Sequence, residues 1–206
     1  MTLVHGDLNA VPSIPALERH FGARVRGTLI RSHLDWVRFH RSREETIEFF
    51  ELLSRETRSV CATIQQGSWY SFAVVLEIES LISGIFGDGR LDLLEGLGSF
   101  FAADALSGPP SQEPGRAVAH AALHRAAMLL HHHVDVASQP SYVPTGLSSG
   151  NVILCDQSSS SEWFCAVSKG AYRQSLLALG NASVQLTHRF CQAVEGQVCA
   201  FEVSWS

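Results

Sequence analysis

At 206 residues the chain has the length of one ordinary domain, and 46% hydrophobic residues suffice for a substantial core. Its charged fraction is 17%, against about 25% in an average soluble protein, so some surface is expected to be hidden in an oligomer, most simply a homodimer. A net charge of −5 with one lysine, Lys169, beside fourteen arginines argues against direct nucleic-acid binding. No apolar run approaches the ~20 residues of a membrane span and no secretory leader is evident at Met1–Leu8, so a cytoplasmic protein is expected.

Residues 1–22 carry Pro12, Pro15 and Gly22 around a short Ala16–Phe21 piece and read as a lead-in, leaving 23–206 as one domain. Val25–Ile30 suits a first strand, after which Ser32 can cap a short helix holding Leu34, Trp36, Val37 and Phe39. Ser42 with Glu45 three residues later forms a capping box for a helix presenting Ile47, Phe50, Leu52 and Leu53. The longest apolar stretch, Trp69–Phe86, places Trp69, Phe72, Leu76, Ile82 and Ile85 near helical period and predicts a central helix broken at Gly87-Asp88-Gly89. Leu91–Leu106 is the next helix, where Gly96 and Gly98 permit either close helix packing or a kink. Ser107–Gly115 reads as a loop, Ala117–Val136 as an alanine-rich helix and Ser138–Gly150 as a second long loop. Asn151–Cys155 then enters a sheet as a strand.

The tail holds the clearest chemistry. Ser161 caps a helix that ends at Gly180, and Val184–Cys191 and Val198–Trp205 are β-type runs joined by a turn containing Gly196. Cys165, His188, Cys191 and Cys199 recur with gaps of twenty-two, two and seven residues. A hairpin brings His188, Cys191 and Cys199 together, and a helix returning into it can lay Cys165 over the same end. Thiolate and imidazole together suit a closed, tetrahedral, structural Zn²⁺. Such a site has a net charge of about −1, so backbone N–H groups or an arginine such as Arg189 must support it. The plainer readings are reduced thiols in a core and a Cys191–Cys199 disulfide.

The motif His188-x-x-Cys191, Gly196 and Cys199-Ala-Phe-Glu-Val-Ser-Trp205 resembles the C-terminus of an uncharacterised myxobacterial family, similar in turn to the 4-vinyl reductase (V4R) domain superfamily. That fold is shared with subunits of the vesicle-tethering TRAPP complex. Its zinc-carrying relatives, sensing domains of phenol- and toluene-responsive activators, have Cys, Glu, Cys, Cys at this spacing. The pattern falls on Cys165, His188, Cys191 and Cys199, with His188 in the Glu position. Fainter similarity runs through Val25-Arg-Gly-Thr, Gly67-Ser-Trp-Tyr70 and Gly87–Gly98. The resemblance implies an α+β fold in which helices pack on a small antiparallel sheet with a zinc-pinned C-terminal hairpin, and a small aromatic or hydrocarbon ligand.

A second constellation, His120, His124 and His131, shares one stripe of the alanine-rich helix. These are either partly exposed polar residues, a pocket anchor, or contacts to a haem. A pocket between helices and sheet would use Trp69 and Phe72 as walls and His120 or His124 as anchor, although each aromatic is equally a core residue. No nucleophile or base motif accompanies Cys61 or Cys155. The expectation is a non-enzymatic, zinc-containing regulatory or sensory domain that binds a small apolar molecule or a partner protein. An assembly scaffold and a haem or metal enzyme built on His120 and His124 are the alternatives.

Overall fold

A computed structural model describes residues 22–105, 116–135, 139–155, 161–194 and 197–206. The lead-in up to residue 21, the whole of the 107–115 loop and Gly196 of the turn before β7 lie outside them. The architecture is α+β, with helices arranged around two small antiparallel sheets.

The first sheet, in the order β2-β1-β3, joins β1 (Arg24–Arg26), β2 (Trp69–Ser71) and β3 (Val134–Asp135). β1 is shorter than the Val25–Ile30 expectation because α1 (Gly27–His40) starts at once. Gly27 is required there, since a β-carbon would sit 2.2 Å from the Gln65 carbonyl oxygen. Ser32 is therefore inside α1 and caps nothing, while Phe39 points outward at 79% exposure.

The capping box on α2 (Arg43–Leu52) is present, with Ser42 Oγ accepting from the Glu45 amide and Glu45 accepting from the Ser42 amide. The buried face is nevertheless Phe49 and Leu53; Ile47 and Leu52 are exposed. Period alone allows either stripe, and the neighbouring elements choose between them. α3 (Arg55–Thr63) begins at Ser54, where the Glu77 carboxylate accepts from the Ser54 hydroxyl at 2.9 Å and from Thr57.

The expected central helix divides. Trp69–Ser71 pairs as β2, α4 runs Phe72–Leu81, and the chain widens into a π-helical turn over Ile82–Phe86. Asp88 and Gly89, both with positive φ, then reverse it. α5 (Asp92–Ala105) lies against the later α7 (Glu162–Leu177) at nearly backbone distance. A β-carbon on Gly98 would meet the Val167 carbonyl oxygen at 1.8 Å, and one on Gly170 the Glu95 carbonyl oxygen at 1.8 Å. Of the two readings for Gly98, close packing is the observed one. Lys169 and Arg173 hold the Glu95 carboxylate across the same seam.

α6 (Arg116–His133) follows, and then what composition marked as a loop is a hairpin: β4 (Ser141–Gly146) paired with β5 (Ser149–Leu154). Pro140 and Pro144 misled because a strand with one unpaired edge tolerates them, and β4 is such an edge. β6 (Val184–Phe190) and β7 (Cys199–Trp205) complete the second sheet in the order β4-β5-β7-β6. Alternation gives it one core face, including Val152, Leu186, Cys199, Phe201, Val203 and Trp205, covered by α6 and α7. Among the described residues no helix is long and apolar enough to cross a membrane.

Candidate metal centre

Cys165 is placed by the cap of α7. The Ser161 hydroxyl accepts from the Phe164 amide at 2.9 Å, which fixes the first turn and directs Cys165 into the core. β6 places His188 on the core face in register with Phe201, and its ring lies flat on that phenyl, 4.5 Å between centroids and 9° from parallel. Cys191 follows β6 directly, and Cys199 opens β7. One ligand atom from each of the four residues can be chosen so that all lie within 4.8 Å of one another. Cys165 and Cys199 are buried with their sulfurs 3.5 Å apart, while His188 and Cys191 are half-buried.

All five cysteines are free thiols, so the disulfide alternative for Cys191 and Cys199 is set aside. The amide of Gln192 donates to Cys199 Sγ at 3.3 Å. The Cys165 thiol, donating to Cys191, and the Ala193 amide draw the Cys191 thiol down to about 7, against the cost of burial. That same contact, with Cys199 and burial, holds the Cys165 thiol well above its usual range. His188 Nε2 is buried and has no partner. Three converging sulfurs, one of them acidified, and an imidazole nitrogen without a hydrogen-bond partner have the chemistry of a cation site. The support expected from Arg189 is absent, because Arg189 pairs with Glu202. The turn amides supply it instead.

The four residues named for a ligand pocket occupy separate settings. Trp69 sits in β2 beneath the Arg26 guanidinium, 4.4 Å from its ring centroid. Phe72 is buried edge-on to Phe164. His120 Nδ1 hydrogen-bonds the Tyr142 hydroxyl beside Trp205, and burial pushes that phenol up to about 12. His124 is exposed. The buried polar pair that sequence reading missed is His33 and Glu79, both fully buried and joined at 3.1 Å from Nε2 to Oε1. The one signal in the sequence is that Glu77 and Glu79 are the charged residues of the apolar Trp69–Phe86 stretch.

Beyond the α+β class, the fold is that of known proteins. No family model matches the sequence. No curated protein matches it either. Solved structures do match. An H-NOX protein from S. oneidensis in the Fe(II)NO ligation state shares 13% identity, with a TM-score of 0.63 over 88% of this chain and 99% of that one. A mutant H-NOX protein from K. algicida, in the Fe(II) unliganded state, shares 16% over 88% and 96%, with a TM-score of 0.61. An H-NOX domain mutant from Shewanella oneidensis in the Fe(II)CO state shares 12% over 88% and 98%, with a TM-score of 0.60. This corrects the V4R and TRAPP resemblance. That assignment was specific only in the tail, whose ligand spacing a helix and a hairpin can present in more than one fold, with faint similarity upstream, whereas the H-NOX likeness is a match of backbone structure over 88% of the chain.

Proposed function

We propose that this chain is a non-enzymatic sensory or regulatory module on the H-NOX fold, in which Cys165, His188, Cys191 and Cys199 hold one structural zinc. The observation carrying this reading is the convergence of three sulfurs and an imidazole within 4.8 Å. Three thiolates and one neutral imidazole are a closed zinc set, leaving no open position for a reacting water. Such an ion would tie the first turn of α7 to both strands of the β6–β7 hairpin. The sensory part rests on the fold, whose solved members include forms with NO or CO on Fe(II).

Iron held by a haem is the competing reading, and the residues do not fit it. The buried face of α6 is Ala119, Ala122, Leu123, Ala126, Ala127 and Leu130, and it packs directly on α7. His120 faces Tyr142, His124 and His132 are exposed, and His133 Nδ1 bonds the Leu129 carbonyl oxygen at 2.8 Å. His131, half-buried near the end of the helix, has a buried Nδ1 with no hydrogen-bond partner. His33 is committed to Glu79. Phe72 packs edge-on to Phe164 and Tyr172 edge-on to Phe201, and all four rings are buried in the core.

Elemental analysis of untagged protein tests the proposal. One zinc per chain is expected, lowered together with thermal stability in His188→Ala and Cys191→Ser and unchanged in Cys61→Ser. A chain without metal and with five titratable thiols would overturn it. A Soret band after addition of hemin, abolished by a single histidine substitution, would restore the haem reading.

A further inference from the structure

Away from the metal centre, one ionisable pair lies wholly inside the molecule. The side chains of His33 on α1 and Glu79 on α4 are each 0% exposed and meet at 3.1 Å from Nε2 to Oε1. One turn to either side stand buried aliphatic residues: Leu29, Ile30 and Val37 on α1, and Val75, Leu76 and Ile82 on α4. Burial raises the Glu79 carboxyl, and among the described residues His33 is the charged partner that draws it back. Directly beyond Leu81 the α-helical hydrogen bonding gives way to the π-helical turn over Ile82–Phe86, a feature that recurs at functional sites.

His33 Nδ1 and Glu79 Oε2 are buried and have no partner among the described residues, and leaving such atoms unpaired is costly. What would satisfy them follows from the proton count. A buried pair is least costly when it carries no net charge, either as imidazolium with carboxylate or as imidazole with carboxylic acid. In the first form Nδ1–H donates and Oε2 accepts. In the second, the acid proton sits either on Oε2, which then donates while Nδ1 accepts, or between Oε1 and Nε2, which leaves Nδ1–H donating and Oε2 accepting. Every neutral arrangement therefore presents one donor and one acceptor. A metal ion, an anion, an ether or a ketone serves only one of the two atoms, whereas a hydroxyl or a primary amide serves both.

We propose that the α1–α4 interface is the ligand site of the sensory module, taking a small, mostly apolar molecule whose one polar group is a hydroxyl or a primary amide that bonds His33 Nδ1 and Glu79 Oε2. This rests on the sensory part of the reading above and not on the zinc. The aliphatic residues of both helices suit the hydrocarbon part of such a molecule. The pair selects the polar group, because an analogue that only accepts leaves a buried protein atom unpaired.

The test uses the isotope-labelled full chain with propionamide and butanone, which differ by an amino group in place of a methyl, and with 1-butanol. Thermal unfolding and amide chemical shifts are followed against concentration. Expected are saturable stabilisation by propionamide and 1-butanol, with shifts centred on α1 and α4, and binding of butanone weaker by about tenfold or more. The His33→Phe/Glu79→Leu double variant replaces both polar side chains with apolar ones, a change that is often neutral or stabilising, and should bind propionamide no better than butanone. Absence of saturable binding by propionamide and 1-butanol, equal binding of propionamide and butanone by the parent, or an unchanged preference in the double variant would each overturn the proposal. Should the double variant fail to fold, the parent's shifts decide: a centre on α1 and α4 supports the proposal, and a centre on any other element overturns it. Binding that survives the double variant moves the ligand elsewhere and leaves the sensory reading standing, whereas a chain without zinc overturns the zinc reading and leaves this one untouched.

Discussion

Two buried polar assemblies sit at opposite ends of the chain, and they are built on different principles. The cysteine–histidine centre draws its side chains from one helix start and one hairpin, residues 165–199, and brings their donor atoms within 4.8 Å of one another. The His33–Glu79 pair comes from α1 and α4, 46 residues apart in sequence, and its two side chains satisfy each other through one hydrogen bond. His33 Nδ1 and Glu79 Oε2 have no partner. Burial pushes the Glu79 carboxyl up, partly offset by His33. Burying such groups is costly in both places. One end offsets the cost with a proposed cation, the other with the single hydrogen bond between His33 and Glu79.

Removing the ion should break the comparison most strongly. Zinc binding of this kind supplies on the order of 10 kcal/mol that is inseparable from folding. Chelation, or Cys199→Ser, is therefore expected to abolish hydrogen-exchange protection in β6 and β7 while leaving β1 and β2 protected. Next comes Glu79→Ala, which strands a buried imidazole and should cost about 3 to 5 kcal/mol in denaturant unfolding, with no loss of metal. Gly170→Ala attacks the seam between α5 and α7, where the new methyl meets the Glu95 backbone; a cost of about 1 to 3 kcal/mol or more is expected. Because α7 also carries Cys165, this variant should lower both stability and zinc affinity.

The smallest effect is in the pH dependence. Glu79 has a folded-state pKa raised above the ordinary 4.5, so the folded chain binds its proton more tightly than the unfolded chain does. Its contribution to stability is fully present below 4.5 and lost as pH rises through the folded value. Subtracting Glu79→Gln from the parent in a denaturation series at saturating zinc isolates this contribution, which should fall with rising pH above 4.5. A difference that grows with pH would mean that the pair is held as an ion pair instead.

Features written in local chemistry were legible. The capping box at Ser42 and the cap at Ser161 depend on residues within one turn, and the break at Gly87–Gly89 on backbone conformations that few residues adopt. The convergence of Cys165, His188, Cys191 and Cys199, the proposed ligands, also follows from a short helix–hairpin segment, even though the family resemblance drawn from the same residues was wrong. Features that depend on what lies opposite were not legible. The buried stripe of α2 became Phe49 and Leu53 because of what packs on it, and Trp69 joined β2 because β1 offers it hydrogen bonds. The Ser141–Leu154 hairpin was hidden by Pro140, Pro144 and its glycines, whose meaning changes at a sheet edge.

The sequence by itself determined the helix starts at Ser42 and Ser161, the chain reversal at Gly87–Gly89 and the set of sulfur and nitrogen donors, because each is decided by interactions a few residues long. Only the tertiary structure decided the order β4-β5-β7-β6, the closeness of α5 and α7 at Gly98 and Gly170, the union of His33 with Glu79, and the likeness to H-NOX structures. Those depend on surfaces distant in sequence meeting at contact distance. A glycine, a buried carboxylate or a proline looks the same in the sequence whether or not a partner is waiting for it.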